Sequence, residues 1–191
     1  MRVLDVGCGD MSLADALVER NPAFSIECID IHPCPVEMAD IDPRWLRYRQ
    51  FDGVHLPFEP NSFDAVIFSD VLHHSTEGSC VSLLADASRV GRWVLVKDHL
   101  ERGLYSRHAL RVMDFIGNFG YGVPVPARYL DRSQFDRLCM IAGLSLVSMT
   151  IGIELYSHLP VLRNLVRPEW QFIAVAERVD WKVPERKRAP N

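Results

Sequence analysis

The chain has 191 residues and a mass of 21.8 kDa, enough for one α/β domain but not for two of ordinary size. It is 48% hydrophobic and 24% charged, with ordinary Gly and Pro levels, which excludes disordered and collagen-like classes. A net charge of −4 supplies no general attraction to nucleic acid, so a polyanionic partner is not expected. Asp5 interrupts any apolar leader, and the most apolar long window, Gly143 to Leu162, contains Glu154, His158 and Pro160. Neither export nor a bilayer span is therefore expected. Cys8, Cys28, Cys34, Cys80 and Cys139 are odd in number and contain no C-x-x-C pair, which fits reduced thiols in a cytoplasmic protein. Cys34, His32 and His55 lack the spacing of a metal site, and no metal is expected.

In chain order, Arg2 to Val6 reads as a first strand. Ser12 to Asp15 matches a capping box and opens an amphipathic helix to Arg20, stopped by Asn21-Pro22. Phe24 to Asp30 is a second strand, and alternation over Arg44 to Phe51 predicts a third. Between them Pro33, Pro35 and Pro43 leave room only for a short turn. Phe63 to Ser69 is nearly continuously apolar, as expected of a central strand buried on both faces. Helical spacing over Ser79 to Val90, with Gly91 as a left-handed stop, leads into a fifth strand, Arg92 to Lys97.

Beyond it, Leu104, His108, Val112, Phe115 and Phe119 suggest the apolar face of a helix, followed by a Gly/Pro loop from Gly120 to Pro126. Ser133 to Asp136 caps another helix ending at Gly143. Leu144 to Thr150 and Gln171 to Glu177 are the last strands. The expectation is one doubly wound, mainly parallel seven-stranded sheet, Rossmann-like, with an antiparallel final strand and a helical insertion after strand five. Residues 1–178 form the domain, 99–130 a helical cover, and 179–191 a basic solvated tail.

The motif with chemical content is Asp5-Val6-Gly7-Cys8-Gly9, at the turn from the first strand into the first helix. In an open α/β sheet that turn faces the ligand crevice. Glycines there let a ligand approach the backbone, and the helix N-terminus offers free N–H groups. Three further features stand in order: Asp30 closing strand two, Asp52-Gly53 after strand three, and Phe63-Asp64 leading through Ser69-Asp70 to His73-His74.

Together these motifs, from Met1 to about Asp98, resemble the class I S-adenosylmethionine-dependent methyltransferases of the small-molecule group. The resemblance implies that Asp30 accepts both ribose hydroxyls and that Gly7, Cys8 and Gly9 lie against the methionine part. It further implies that Asp52 and Gly53 meet the adenine with Ile31 packing on the ring, and that Asp5, Ser69 and Asp70 hold the amino-acid end. Methyl transfer is an in-line displacement in which a base assists a hydroxyl acceptor; His74 and His99 are the candidates. The family also carries Asp-His after strand five, then an Asp, Gly-Asn and Tyr-Leu, here Asp98-His99, Asp114, Gly117-Asn118 and Tyr129-Leu130. Tyr105, His108, Asn118 and Tyr121 are the expected substrate contacts.

The chain departs from the family in placing Met11 where a third glycine is common and in starting at strand one. The 99–130 segment, or a second copy in a homodimer, is expected to close the site. A dinucleotide-binding oxidoreductase would share Gly7-x-Gly9, but Asp5 and Asp10 would set carboxylates beside its pyrophosphate. A non-catalytic protein of the same fold, acting as a scaffold or regulator, is the other alternative. No Asn-Pro-Pro-Tyr or Pro-Cys segment of a DNA methyltransferase follows strand four, so the expected partner is a small-molecule substrate.

Overall fold

The computed structural model describes residues 1–34, 42–117, 124–154 and 166–180. Seven strands form one sheet: β1 (Arg2–Val6), β2 (Ser25–Asp30), β3 (Tyr48–Gln50), β4 (Phe63–Ser69), β5 (Gly91–His99), β6 (Leu144–Ile151) and β7 (Gln171–Arg178). Their order is β3-β2-β1-β4-β5-β7-β6. Pairing is parallel from β3 to β5 and antiparallel for β5–β7 and β6–β7. The expected doubly wound architecture is therefore present. The order reverses beside β1 and β4, and their carboxyl ends open a crevice at that point.

Alternation along β1 divides the interior. Leu4 and Val6 join Phe68, Val94 and Val96 under α2 (Glu77–Val90) and α4 (Arg132–Ile141), whose Leu84 and Phe135 complete that core. Val3 faces the other way, with Ile26, Cys28, Trp45 and Ala14 of α1 (Ser12–Arg20). A third helix, α3 (Leu104–Gly117), follows β5 and packs Ala109, Leu110 and Met113 against Tyr129, Val166 and Trp170.

Several local expectations are corrected. Asp15 does not cap α1: Met11 enters it at φ 63 without a side-chain cap, while Asp10 accepts the Ser12 hydroxyl and amide. Residues Pro43–Arg47 form a 3-10 turn initiated by proline and capped by Asp42, which shortens β3 to three residues. Helix α2 starts earlier, on a Thr76 cap, and Gly91 is extended at φ −128, so it opens β5 rather than closing a helix in the left-handed region. At α4 the capping box is Asp131 with Gln134, not the Ser133–Asp136 pair.

The largest correction concerns α3. The face chosen from periodicity is the solvent side: Leu104, His108, Val112 and Phe115 are exposed, whereas Ser106, Ala109, Leu110, Met113 and Asp114 are buried. The error has a physical source. Two polar residues sit in the buried stripe, Asp114 because buried Tyr129 and His73 meet it and Ser106 because it bonds the Arg102 amide and the Gly103 carbonyl of its own turn, and they disguise the stripe as hydrophilic. The expected short turn at 35–41, Phe119, and the tail beyond 180 lie outside the described residues.

This inversion predicts the outcome of two alanine substitutions on one helix. Leu110→Ala, at a fully buried position, is expected to cost about 2–5 kcal/mol. Val112→Ala, at a position 48% exposed, should stay within about 0.5 kcal/mol. Urea denaturation midpoints of the two variants measure the difference.

Candidate functional site

The β1–α1 turn is shaped by its glycines. Gly7 adopts φ 72, and a Cβ there would fall 2.5 Å from Val71 Cγ2, so the protein itself forbids a side chain. Gly9 adopts φ 54 and, among the described residues, has no atom within 4 Å of where a Cβ would stand, which leaves room for a ligand against the backbone. Cys8 is buried beside Cys28. The hydrogen bond with Cys28, together with burial, holds its thiol well above the ordinary range, making it a packing residue of the turn. Met11, in the place of a third glycine, tucks wholly into the α1-side core and adopts the left-handed conformation.

Asp5 and Asp30 give this turn its electrostatic character. Asp30 Oδ2 accepts the Gly9 amide at 2.9 Å and Oδ1 accepts His32 at 3.0 Å, tying the ends of β1 and β2 together. Each carboxylate oxygen retains a lone pair for a further donor. Asp5 is buried, and its Oδ2 has no hydrogen-bond partner among the described residues. Burial, with the adjacent Asp30 charge, raises its pKa to about 7. An unpartnered buried acceptor beside an open glycine turn suits a cationic donor such as the ammonium of an amino acid.

At the next rim, Gly53 adopts φ 80 and lies close to the exposed Ile31 side chain. Asp52 accepts Val54 and His55 amides and pairs with His55 Nδ1 at 3.0 Å. Those bonds lower its pKa to about 2. The Asp52 carboxylate thus also shapes its own turn.

Ser69 ends β4, and Asp70 turns the chain at φ 58, its amide donating to Lys97 and its carboxylate paired with the Lys97 ammonium. A 3-10 turn, Leu72–His74, follows and is pinned to β5 by Asp98. Completely buried, Asp98 accepts the amides of Leu72 (3.0 Å), His73 (3.3 Å) and His99 (2.7 Å), and its Oδ1 meets His73 Nδ1 at 2.5 Å. Burial works to raise the Asp98 pKa, but the His73 and His99 interactions hold it well below the usual carboxylate range. For His73, burial would depress the imidazole. The Asp98 charge and hydrogen bond, with Asp114 and Asp70 beyond, raise it overall.

His74 and His99, the two residues expected as bases, are placed differently. His74 is half-buried, with Nδ1 3.3 Å from the Pro124 carbonyl; burial and neighbouring His73 lower its pKa. His99 is buried, its Nδ1 donating to Gln171 Oε1 at 2.9 Å, and burial lowers its pKa against the pull of Asp98 and Asp70. The His99 ring stacks on His73, with centroids 4.9 Å apart, and the His74 ring lies tilted against His73 at 4.0 Å. Asp114 of α3 reaches into this group, its Oδ2 accepting the Tyr129 hydroxyl at 2.5 Å.

Of the expected substrate contacts, Tyr105 is exposed and packs edge-on to Trp170, and His108 is exposed on α3. Asn118 and Tyr121 lie outside the described residues. Gln171 carries no role in the sequence reading, and His73, Asp98, Asp114 and Tyr129 stand there within motifs without one. One signal was available: Val94, Val96 and Asp98 share the parity of a buried face, so a carboxylate at 98 had to meet a buried partner.

Residues 4–92 match the family model described as a methyltransferase domain. A ubiquinone biosynthesis O-methyltransferase of Neisseria meningitidis is 30% identical over 89 residues, 42% of this chain and 36% of that protein. The ribosomal RNA small subunit methyltransferase C of a Shewanella species is 29% identical over 104 residues, 50% of this chain and 30% of that protein. The chain thus spans about a third of the length of these curated relatives. The crystal structure of a SAM-dependent methyltransferase from Methanosarcina mazei superposes with a TM-score of 0.69 at 14% identity, covering 93% of this chain and 92% of that one. By the match over residues 4–92 and by its fold, the chain is similar to the class I S-adenosylmethionine-dependent methyltransferases.

Proposed function

We propose that this protein transfers a methyl group from S-adenosylmethionine to a small-molecule acceptor bound beside the Leu72–His74 turn. The observation that carries the reading is the β1–α1 turn: open space at Gly9, Asp30 at its edge, and the buried, unpartnered Asp5 oxygen beneath it. Bound there, S-adenosylmethionine supplies an electrophilic methyl on a sulfonium. Asp30 offers its remaining lone pairs to the ribose hydroxyls, Asp5 receives the ammonium, and the rim of Ile31, Asp52 and Gly53 packs on the adenine. Ser69 and Asp70 contribute backbone beside the amino-acid end.

The acceptor side is assigned by protonation state and accessibility. With Nδ1–H directed at Pro124, His74 keeps an Nε2 lone pair, and its lowered pKa leaves it neutral at pH 7. It is the proton acceptor for a hydroxyl. His99 has its Nε2 among the Asp70 and Asp114 oxygens and acts on the floor of the site rather than at its mouth. A small acceptor is favoured by the net charge of −4 and by carboxylates lining this edge of the sheet, which repel a phosphate backbone. Exposed Tyr105 and His108 are then contacts at the rim.

Calorimetric titration with S-adenosylhomocysteine tests the cofactor assignment, and absence of binding at millimolar ligand overturns it. Binding of NADH in its place would favour an oxidoreductase. Asp30→Ala should weaken the S-adenosylhomocysteine affinity by about 1.5–3 kcal/mol, roughly ten- to a hundredfold, through loss of charge-assisted hydrogen bonds.

Asp5 gives binding a pH dependence. Below about pH 7 its carboxyl is protonated, and a bound ammonium favours the ionised form, so binding there releases a proton. Affinity should rise with pH and level off above about 7, and Asp5→Asn should flatten that profile. The ligand-free protein carries the opposite sign. Because the folded pKa is raised above the unfolded value, this group's contribution to stability is present in acid and is lost as pH rises from about 4 through about 7. Denaturation of the ligand-free protein across that window checks the sign.

A further inference from the structure

We propose that His73, His99 and Asp114, with Asp70 at the outer position, form a binding site for one divalent transition-metal ion at the floor of the acceptor pocket. The first observation is tautomeric. His73 directs Nδ1 at Asp98 and His99 directs Nδ1 at Gln171 Oε1, so both rings turn Nε2 toward the same space. A metal-bound histidine is oriented in this way by a carboxylate or carbonyl behind the ring.

The second observation is what Nε2 meets. Among the described residues His73 Nε2 is buried without a hydrogen-bond partner, in a side chain 1% exposed, and lies 3.4 Å from Asp114 Oδ2. His99 Nε2 lies 3.7 Å from Asp70 Oδ1 and 3.8 Å from Asp114 Oδ1. One ligand atom from each of Asp70, His73 and His99 falls within 4.8 Å of the others, and the same is true of His73, His74 and Asp114.

Magnitudes separate an ion from a proton. A charge-assisted N–H···O bond closes to about 2.7–2.9 Å, shorter than any of these three separations. Ligand atoms about 2.0–2.2 Å from a tetrahedral ion stand roughly 3.3–3.6 Å from one another, close to the spacing found. Two imidazoles with two carboxylates suit Zn(II) or a neighbouring first-row ion better than Mg(II) or Ca(II), which take all-oxygen shells. Tyr129 orients Asp114 through its hydroxyl, and Lys97 shares Asp70, making Asp70 the ligand most readily exchanged for an acceptor oxygen. The ion site stands on these distances alone. Its role, holding an acceptor through an oxygen atom, rests on the methyltransferase reading.

The test uses the full chain, tag-free and stripped with chelator. Zn(II) titration by calorimetry should give one ion per chain, Co(II) should develop a visible absorption band, and thermal stability should rise on loading. Asp114→Asn and His99→Ala should each abolish the Co(II) band while far-ultraviolet circular dichroism is retained. Gln171→Leu, behind the His99 ring, should weaken Zn(II) by about ten- to a hundredfold. His73 is too deeply packed to serve as the sole probe, which is why three other variants are named. No uptake of either ion by folded protein overturns the proposal, as does uptake indifferent to Asp114→Asn and His99→Ala. S-adenosylhomocysteine titration of the same stripped sample separates the two readings: cofactor bound without metal removes the ion site alone, and metal bound without cofactor removes the methyltransferase reading alone.

Discussion

A single buried carboxylate organises the carboxyl ends of β4 and β5 in this protein. Desolvating Asp98 is costly, and four donors offset that cost: three backbone amides and the His73 ring. Two of the amides belong to the turn after β4 and one to β5 itself, so the bonds fix where the chain leaves the central strand. Removing the carboxylate would orphan Leu72, His73 and His99 amides at once in a buried setting. The positions of His73, His74 and Asp70, and through them of the α3 residue Asp114, follow from that constraint.

The cofactor side is built on a different principle. There the backbone is held by Asp30, whose two oxygens join the glycine turn to the residues after β2, while Asp5 Oδ2 has no hydrogen-bond partner among the described residues. One carboxylate therefore spends its lone pairs on structure and keeps capacity for a ligand, and the other stays uncompensated in the protein alone. Both sit at the switch of strand order, where the sheet leaves a crevice. The two halves meet across β4, whose last residues, Ser69 and Asp70, border both.

The antiparallel strand β7 has a functional consequence beyond closing the sheet. Its register sets Gln171 opposite His99 and Phe172 opposite Asp98. Gln171 thereby fixes the His99 ring, while Phe172 packs edge-on to Phe135 in the core. Residues more than seventy positions apart in the chain thus determine which nitrogen of His99 faces the site. Tyr129 does the same for Asp114 from the segment before α4.

The strands, their parallel arrangement and the glycine turn were legible in the sequence because each is a local pattern: apolar runs of strand length, alternation, and glycines where the backbone turns at positive φ. The places of Asp5 in β1, Asp30 at the end of β2, and Asp52 and Gly53 in the turn after β3 were legible for the same reason. The capping of α1 and the length of β3 were misread because Met11, Asp10 and Pro43 decided them through local competitions that residue patterns do not rank. The polar cluster around His73 and the buried face of α3 were decided only by tertiary structure. Asp114 is hydrophilic by composition and becomes an interior residue only when Tyr129, brought by the fold, satisfies it, whereas Ser106 is satisfied within its own turn by the Arg102 amide and the Gly103 carbonyl. A linear sequence displays the polarity of a side chain, whereas its burial depends on hydrogen-bond partners brought together by the fold.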